Sequence, residues 1–279
     1  LLLLAAWSGV RGPRFLERWP DPAPQFTPWQ ELAPGLDYAR ANLEHPRPLK
    51  CHAVRIDLRR PDLEVVIGAQ ATDIGRFRSA WPISLAREGR LLAAINATPF
   101  DPEPYLPGPV VRPHGLVLDR GWMVNPPSPN LDALLHLTNG AWQLQRGQSE
   151  PSGARLGVGG FLVTLEAGEN RGEPHPRDAA TTVGLSEDRR FMYWLVVDGG
   201  QPGYSEGTTP RETAELLKQL GAYSALNLDG GGSTTMILGA SWTGPRVANR
   251  PRSPWVTGIQ RPVACVLGVR RLSGGQGSD

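Results

Sequence analysis

Two apolar runs in the last third of the sequence each end in an Asp-Gly pair, with a helical pattern between them. Residues 191–197 lead to Asp198, and residues 225–228 lead to Asp229. A strand-helix-strand crossover returns the second strand parallel to the first, normally with a right-handed connection. The pattern therefore predicts a sheet that carries both aspartates at the same edge.

Three helix-start signals coincide in the segment between the two runs. Thr209 is a hydroxyl N-cap, Pro210 occupies the first helical position, and Glu212 stands three residues after the cap. Apolar residues then recur at helical spacing as far as Leu220, and Gly221 provides a stop signal. These signals predict a helix that ends at Gly221.

The rest of the globular region reads as strands with one further short helix. Alternating or continuous apolar runs predict strands, the pair 181–185 and 191–197 predicts a hairpin, and residues 84–90 predict a helix. We therefore predict an α+β fold: a single domain with a mixed β-sheet flanked by helices, containing one parallel strand-helix-strand unit near residues 191–228.

The ends of the chain differ in composition from the middle. We interpret residues 1–28 as a signal or anchor remnant and a Pro-rich arm, 29–272 as the domain, and 273–279 as a flexible tail. The apolar start, Leu1 to Trp7, resembles the end of a signal-peptide core. We expect an exported protein that is periplasmic, secreted or N-terminally membrane-anchored, with cleaved and uncleaved signals equally open.

Charge and cysteine content exclude two classes of function. The 29 basic and 27 acidic residues give a net charge of +2 and are scattered, so no nucleic-acid partner is expected. Cys51 and Cys265 belong to no Cys/His cluster, which argues against a zinc site. Either a disulfide or two separate buried thiols would fit them.

Asp198 and Asp229 are the predicted catalytic residues. Their backbones would lie roughly 5 Å apart on adjacent strands and about 10 Å apart with one strand between them. Ligands bind outside the carboxyl ends of the strands in such sheets, and paired carboxylates suit glycoside hydrolysis. The chemistry requires no cofactor, although the aspartates and nearby carbonyls leave room for a calcium ion.

Three glycines and several hydroxyl residues follow Asp229 at once. Successive backbone N–H groups at Gly230–Gly232, with the hydroxyls of Ser233 and Thr234, would form a cradle for an anion. A carboxylate beside an anion cradle fits a sugar joined to phosphate, with Asp229 acting at the sugar carbon. Arg177 is a candidate clamp for the developing phosphate charge.

The segment Asn227–Met236 resembles the central motif of the phosphodiester glycosidase family. The resemblance extends from about Trp29 to Leu272, with supporting motifs at 93–96, 196–199, 203–205, 247–251 and 261–264. It implies hydrolysis of a sugar-1-phosphodiester of the N-acetylglucosamine-1-phosphate type. The implied partner is a carbohydrate-phosphate substrate, including a cell-envelope or extracellular polysaccharide.

The resemblance also implies a set of binding residues. With the two aspartates, the set comprises Asn96, Arg177, Asn227, Gly230, Gly231, Gly232, Ser233, Thr234, Asn249 and Arg261.

Two segments depart from the family pattern. Asn96 is followed by Ala97-Thr98-Pro99 where the family has two glycines. Counting back from Gly184 puts Ala180 or Thr181 where the family has an arginine, so Arg177 reaches the site only through an inserted bulge. The altered arginine segment leaves a non-catalytic glycan-binding domain as an alternative function. A metal-dependent phosphodiesterase is a second alternative.

Overall fold

A computed structural model describes residues 23–239, 244–252 and 256–272 of the chain. These residues form 22 strands, two α-helices and one turn of 3₁₀ helix. The predicted N-terminal segment up to residue 22 and the predicted tail 273–279 lie outside the described residues.

The strands in the first half of the chain are β1 (Gln30–Ala33), β2 (Leu36–Leu43), β3 (Leu49–Asp57), β4 (Leu63–Ala69), β5 (Ala71–Asp73), β6 (Arg76–Arg78), β7 (Ala93–Asn96), β8 (Phe100–Asp101), β9 (Val110–Pro113), β10 (Val117–Asp119), β11 (Trp122–Asn125) and β12 (Asp132–Leu137). The remaining strands are β13 (Trp142–Gln145), β14 (Ala154–Gly160), β15 (Val163–Glu166), β16 (Glu169–Asn170), β17 (Ala180–Leu185), β18 (Phe191–Val197), β19 (Ser224–Asn227), β20 (Met236–Leu238), β21 (Arg246–Val247) and β22 (Cys265–Arg271). The helices are α1 (Pro82–Glu88) and α2 (Pro210–Leu220), and the 3₁₀ turn covers Gly231–Ser233.

The described strands assemble into four sheets. The largest has eight strands in the order β1-β2-β3-β18-β17-β19-β15-β16. Two five-stranded sheets have the orders β11-β10-β14-β12-β13 and β21-β20-β7-β22-β4, and a four-stranded sheet has the order β5-β6-β9-β8. Every pairing among these strands is antiparallel.

The predicted α+β fold with a mixed sheet and a parallel strand-helix-strand unit is wrong. The molecule is mostly β, with antiparallel sheets and little helix. β17 pairs with β18 as its hairpin partner and also with β19, so it occupies the position between the two strands that α2 connects. Those strands run in the same direction, but they are not neighbours because an antiparallel strand separates them.

Both helices were predicted within a few residues, and α2 has the predicted start. The Thr209 hydroxyl accepts from the Glu212 N–H, the Glu212 carboxylate accepts from the Thr209 N–H, and Gly221 ends the helix in the left-handed conformation. The apolar face of α2 packs on the eight-stranded sheet through Leu216 and Leu217.

The opposite face of the eight-stranded sheet carries the main core. Buried side chains of β3, β17 and β18 pack there against those of β7, β20 and β22, including Trp194, Ile95 and Leu267. The antiparallel register alternates the β17 side chains between the two faces, with Ala180 towards α2 and Val183 towards the main core.

Cys51 and Cys265 are separate buried thiols that belong to different apolar clusters. Neither described helix has the length and hydrophobicity needed to span a lipid bilayer.

Candidate active site

Asp198 and Asp229 lie at the same edge of the eight-stranded sheet, on either side of β17. Val197 is paired with Ala180, and the Leu228 N–H donates to the Thr181 carbonyl. In this register Asp229 lies opposite Ala180 on one side of β17. On the other side of β17, Asp198 lies one residue beyond the position opposite Ala180. Two strand spacings separate their backbones by about 10 Å, as the sequence argument gave for an intervening strand.

The Asp198 carboxylate is buried but receives several hydrogen bonds. The Asn249 side-chain amide donates to Oδ1 over 2.9 Å, the Arg250 N–H donates to both oxygens over 3.1 Å, and the Tyr204 hydroxyl lies 3.3 Å from Oδ2. Burial raises the pKa of Asp198 to about 6, although these donors favour the charged form.

His52 lies next to the Asp198 carboxylate. Nε2 of His52 lies 3.9 Å from Oδ2 of Asp198, and Nδ1 lies 2.7 Å from the Tyr38 hydroxyl. Burial, together with Arg40 and Arg246, lowers the pKa of His52 to about 4. The ring is therefore neutral at neutral pH and gives Asp198 no counter-charge.

Asp229 has a different environment. Burial raises the pKa of Asp229 to about 7; Ser233 and Arg261 oppose the shift, and the negative charge of Glu103 adds to it. A carboxyl group with this pKa exchanges a proton near neutral pH, as a general acid or base must.

The glycines after Asp229 leave room for neighbouring groups. A Cβ on Gly230 would lie 2.8 Å from the Ala179 carbonyl oxygen, and one on Gly232 would collide with the guanidinium of Arg261. Gly231 has φ +56°, which is in the left-handed region. Gly230 and Gly232 are needed because Ala179 and Arg261 pack directly against the loop, and Gly231 is needed for its left-handed backbone.

Several backbone N–H groups of this loop already have acceptors within the protein. The N–H of Gly231 donates to the Ala179 carbonyl, and those of Ser233 and Thr234 donate to carbonyls of the preceding turn. The side chains of Ser233 and Thr234 are buried. The predicted anion cradle therefore depends less on these N–H groups than on the guanidinium beside them.

Two buried asparagines hold the loop at both ends. Asn96 donates to the Asp229 carbonyl over 2.7 Å and accepts from the Thr235 N–H and the Thr181 hydroxyl. Asn249 donates to the Thr234 carbonyl and to Asp198, and it accepts from the Met236 N–H over 2.8 Å. Both side chains position the aspartates through hydrogen bonds within the protein.

Two arginines border the aspartates. Arg261 packs at Gly232, and its side chain is only 11% exposed. Arg252 passes over Gly200, where a Cβ would collide with it, and its guanidinium lies 3.4 Å from Asp178. The site therefore combines two buried carboxyl groups with cations close to both Gly-containing turns.

Arg177 lies beside the N-terminus of α2. Its Nε is 3.8 Å from the Glu212 carboxylate, which also binds Arg47 over 2.7 Å. Ala180, one of the two positions where counting places the family's arginine, packs in the α2-side cluster, whereas the Thr181 hydroxyl binds Asn96. The role of Arg177 as a phosphate clamp stays a prediction.

Asn227 faces the α2 side of the sheet. Its side-chain oxygen accepts from the Thr182 hydroxyl over 3.0 Å. It also lines a cavity of about 240 Å³ with His175, Thr208 and Gly230.

Sequence reasoning missed Glu103, His52, Tyr204, Arg252 and Asp178 as neighbours of the site. Tyr204 was part of a family motif, and Glu103 is in the proline-rich loop after Asn96, so both had a local signal. The other three are brought in by tertiary packing. Within the described residues, no group of three or more His, Cys, Asp or Glu side chains is arranged to hold a metal ion.

Comparison with protein families gives one match. The profile described as phosphodiester glycosidase matches residues 89–270, which is more than half of the chain. No curated protein matches the sequence.

Comparison with solved structures gives the same fold. The zebrafish N-acetylglucosamine-1-phosphodiester α-N-acetylglucosaminidase catalytic domain, autoinhibited by its pro-peptide, is similar with TM-score 0.66 and 19% identity over 89% of this chain and 88% of that one. A hypothetical protein from Synechocystis has TM-score 0.61 and 17% identity over 88% of this chain but only 64% of its own. A presumed exported protein from Burkholderia pseudomallei has TM-score 0.60 and 16% identity over 80% and 74%.

Proposed function

The chain belongs to the phosphodiester glycosidase family, and on that premise we propose that it hydrolyses the glycosidic bond of a sugar-1-phosphodiester of the N-acetylglucosamine-1-phosphate type. The products are the free sugar and a phosphate monoester. The observation that carries the proposal is the pair of aspartates at one sheet edge, whose pKa values burial raises to about 6 and about 7.

The two aspartates have complementary roles in the proposed reaction. Asp198 acts as the carboxylate that takes a proton from water as the water oxygen bonds to the sugar C1. The bond from C1 to the bridging oxygen breaks, and its electron pair stays on the phosphate. Asp229, which the sequence argument placed at the sugar carbon, instead donates its proton to that oxygen, while Arg261 beside it stabilises the developing negative charge.

The hydrogen-bond donors around Asp198 show whether this residue suits the calcium ion that the sequence allows. Ca²⁺ requires six to eight oxygen ligands, whereas the Asp198 oxygens face N–H and O–H donors from Asn249, Arg250 and Tyr204. These donors bind the negatively charged oxygens of Asp198, whereas a calcium ion at the same place would need oxygen ligands. The proposed mechanism therefore uses no metal ion.

We expect Asp198→Asn and Asp229→Asn each to reduce sugar release by about 10²- to 10⁴-fold, because each removes a proton-transfer group. The measurement is sugar release from a panel of sugar-1-phosphodiesters, with circular dichroism to confirm folding. Asp73→Asn, an exposed position on β5, is the matched control. Full activity of both site variants would contradict the assignment.

A non-catalytic glycan-binding function is the second candidate, and one observation favours it. Alanine and threonine occupy the two positions where counting places the family's arginine, and Arg177 lies beside Glu212. Ligand-dependent stabilisation against heat, with no turnover of any substrate in the panel, would support this candidate. Chelator-sensitive cleavage on the phosphorus side would instead support a metal-dependent phosphodiesterase.

We also propose that the protein is exported and acts on a carbohydrate-phosphate of the cell envelope or of an extracellular polysaccharide. The fold similarity to the Burkholderia protein supports export. Fractionation of cells that express the full chain tests this part of the proposal.

A further inference from the structure

Glu103 forms an ion pair with Arg261, the arginine whose charge acts on Asp229. Its Oε1 lies 2.8 Å from Nη1 of Arg261. Glu103 belongs to the proline-rich connection between β8 and β9, and its side chain is 58% exposed, whereas that of Arg261 is 11% exposed. A largely exposed carboxylate thus covers a nearly buried cation.

Arg261 also packs closely against the loop that follows Asp229. Its guanidinium fills the space that a Cβ on Gly232 would occupy, and its charge favours the ionised form of Asp229. A planar guanidinium held in this way binds carboxylate and phosphate in the same geometry. Glu103 therefore occupies a position that suits a phosphate oxygen.

Little free energy is needed to break the ion pair between Glu103 and Arg261. Ion pairs with a solvent-exposed partner contribute little net stability, since the exposed group regains its hydration when it leaves. A phosphate that approaches Arg261 would meet repulsion from Glu103 until that carboxylate swings away.

We propose, on the basis of the proposed function, that Glu103 is a specificity-determining residue whose carboxylate occupies the phosphate position on Arg261 and is exchanged for the substrate's phosphate. A ligand with a phosphate replaces one anion by another and leaves Arg261 paired. A neutral glycoside offers no such replacement, so Glu103 stays on Arg261 and obstructs the approach to Asp229.

The charge near Asp229 fits this exchange. Glu103 helps to keep the pKa of Asp229 raised in the free protein. The phosphate that replaces it carries negative charge to the same place, so Asp229 stays protonated when substrate is bound. Removal of Glu103 takes this charge away only from the free protein.

Binding of inorganic phosphate, measured by isothermal titration calorimetry, tests the exchange without any turnover. We expect Glu103→Gln to bind phosphate more tightly than the wild type and Glu103→Ala to bind it about fivefold more tightly, because alanine also removes the hydrogen bond to Arg261. Glu187→Gln is the matched control, since Glu187 is exposed in the turn between β17 and β18, at the far end of these strands from Asp198. Unchanged or weaker binding in both Glu103 variants, or no binding by any variant, would overturn the inference.

Kinetics with a sugar-1-phosphodiester give a second readout. We expect Glu103→Gln to lower KM by about the same factor by which it tightens phosphate binding. The same variant should move the alkaline limb of kcat/KM to lower pH. A loss of activity caused by misfolding would not lower KM and would not move the alkaline limb to lower pH. Tighter phosphate binding without any sugar release would uphold the exchange while refuting the proposed hydrolysis, so the two failures are distinguishable.

Discussion

Asp198 and Asp229 follow similar strands but have different neighbours. Asp198 accepts hydrogen bonds from Asn249 and the Arg250 backbone, which favour its charged form. Burial is the largest cause of the raised pKa of Asp229, and the negative charge of Glu103 adds to it. In the proposed reaction, Asp198, whose pKa burial raises to about 6, is the base, and Asp229, whose pKa burial raises to about 7, is the acid.

These pKa values predict a narrow, bell-shaped pH profile. Activity requires Asp198 ionised and Asp229 protonated, so kcat/KM should rise as pH increases through about 6 and fall as pH increases through about 7. The measurement is kcat/KM for a sugar-1-phosphodiester from pH 4 to 9. A profile that stays flat to the alkaline end would contradict the role of Asp229 as acid.

The sequence selected candidate site residues but did not show their contacts. The strand that ends in Asn96 and the Asn249 motif were both chosen, but the sequence cannot show that their amides bind the loop of Asp229. Likewise, the glycine run was interpreted as an anion cradle. Its close packing against β17 and Arg261 became visible only in three dimensions.

At the scale of elements, the loop between β19 and β20 depends on two asparagine clamps. Asn96 projects from β7 and joins the start of the loop to its end. Asn249 follows β21 and joins the end of the loop to Asp198. The two clamps together fix both aspartates relative to one another across β17.

Truncation of either clamp should destabilise the protein, with different effects on the chemistry. We expect Asn96→Ala and Asn249→Ala each to lower the free energy of unfolding by about 3 kcal/mol, since each leaves buried groups without partners. Only Asn249→Ala should move the acid limb of the pH profile upward, because it removes a donor to Asp198.

Denaturant unfolding and the pH profile of kcat/KM check these effects. Asn42→Ala, at an exposed position on β2, is the control. The clamp assignment fails if the two variants are as stable as that control.

At the scale of the whole molecule, local patterns predicted elements but not their neighbours. Capping signals located α2, and the turn at 186–190 correctly predicted the β17–β18 hairpin. The direction of the strands on either side of α2 was also deduced correctly. Whether they are adjacent stayed open, because nothing in the local sequence of β17 shows that it pairs with β19 as well as with β18.

The antiparallel arrangement nevertheless preserves the site. β17 is antiparallel to both neighbours, so β18 and β19 end at the same edge and bring Asp198 and Asp229 to either side of one strand. The error in the predicted fold therefore did not move the aspartates to opposite edges, and of the two separations that the sequence allowed, the structure has that of two strand spacings.

In the proposed reaction, water attacks the sugar carbon and the bond from C1 to the bridging oxygen breaks. Hydrolysis of a sugar-1-phosphodiester in water enriched with heavy oxygen, followed by mass spectrometry of the phosphate monoester, tests it most directly. We predict that the phosphate monoester is unlabelled and that the new oxygen is on C1 of the sugar. Heavy oxygen in the phosphate monoester would show attack at phosphorus and would contradict the account.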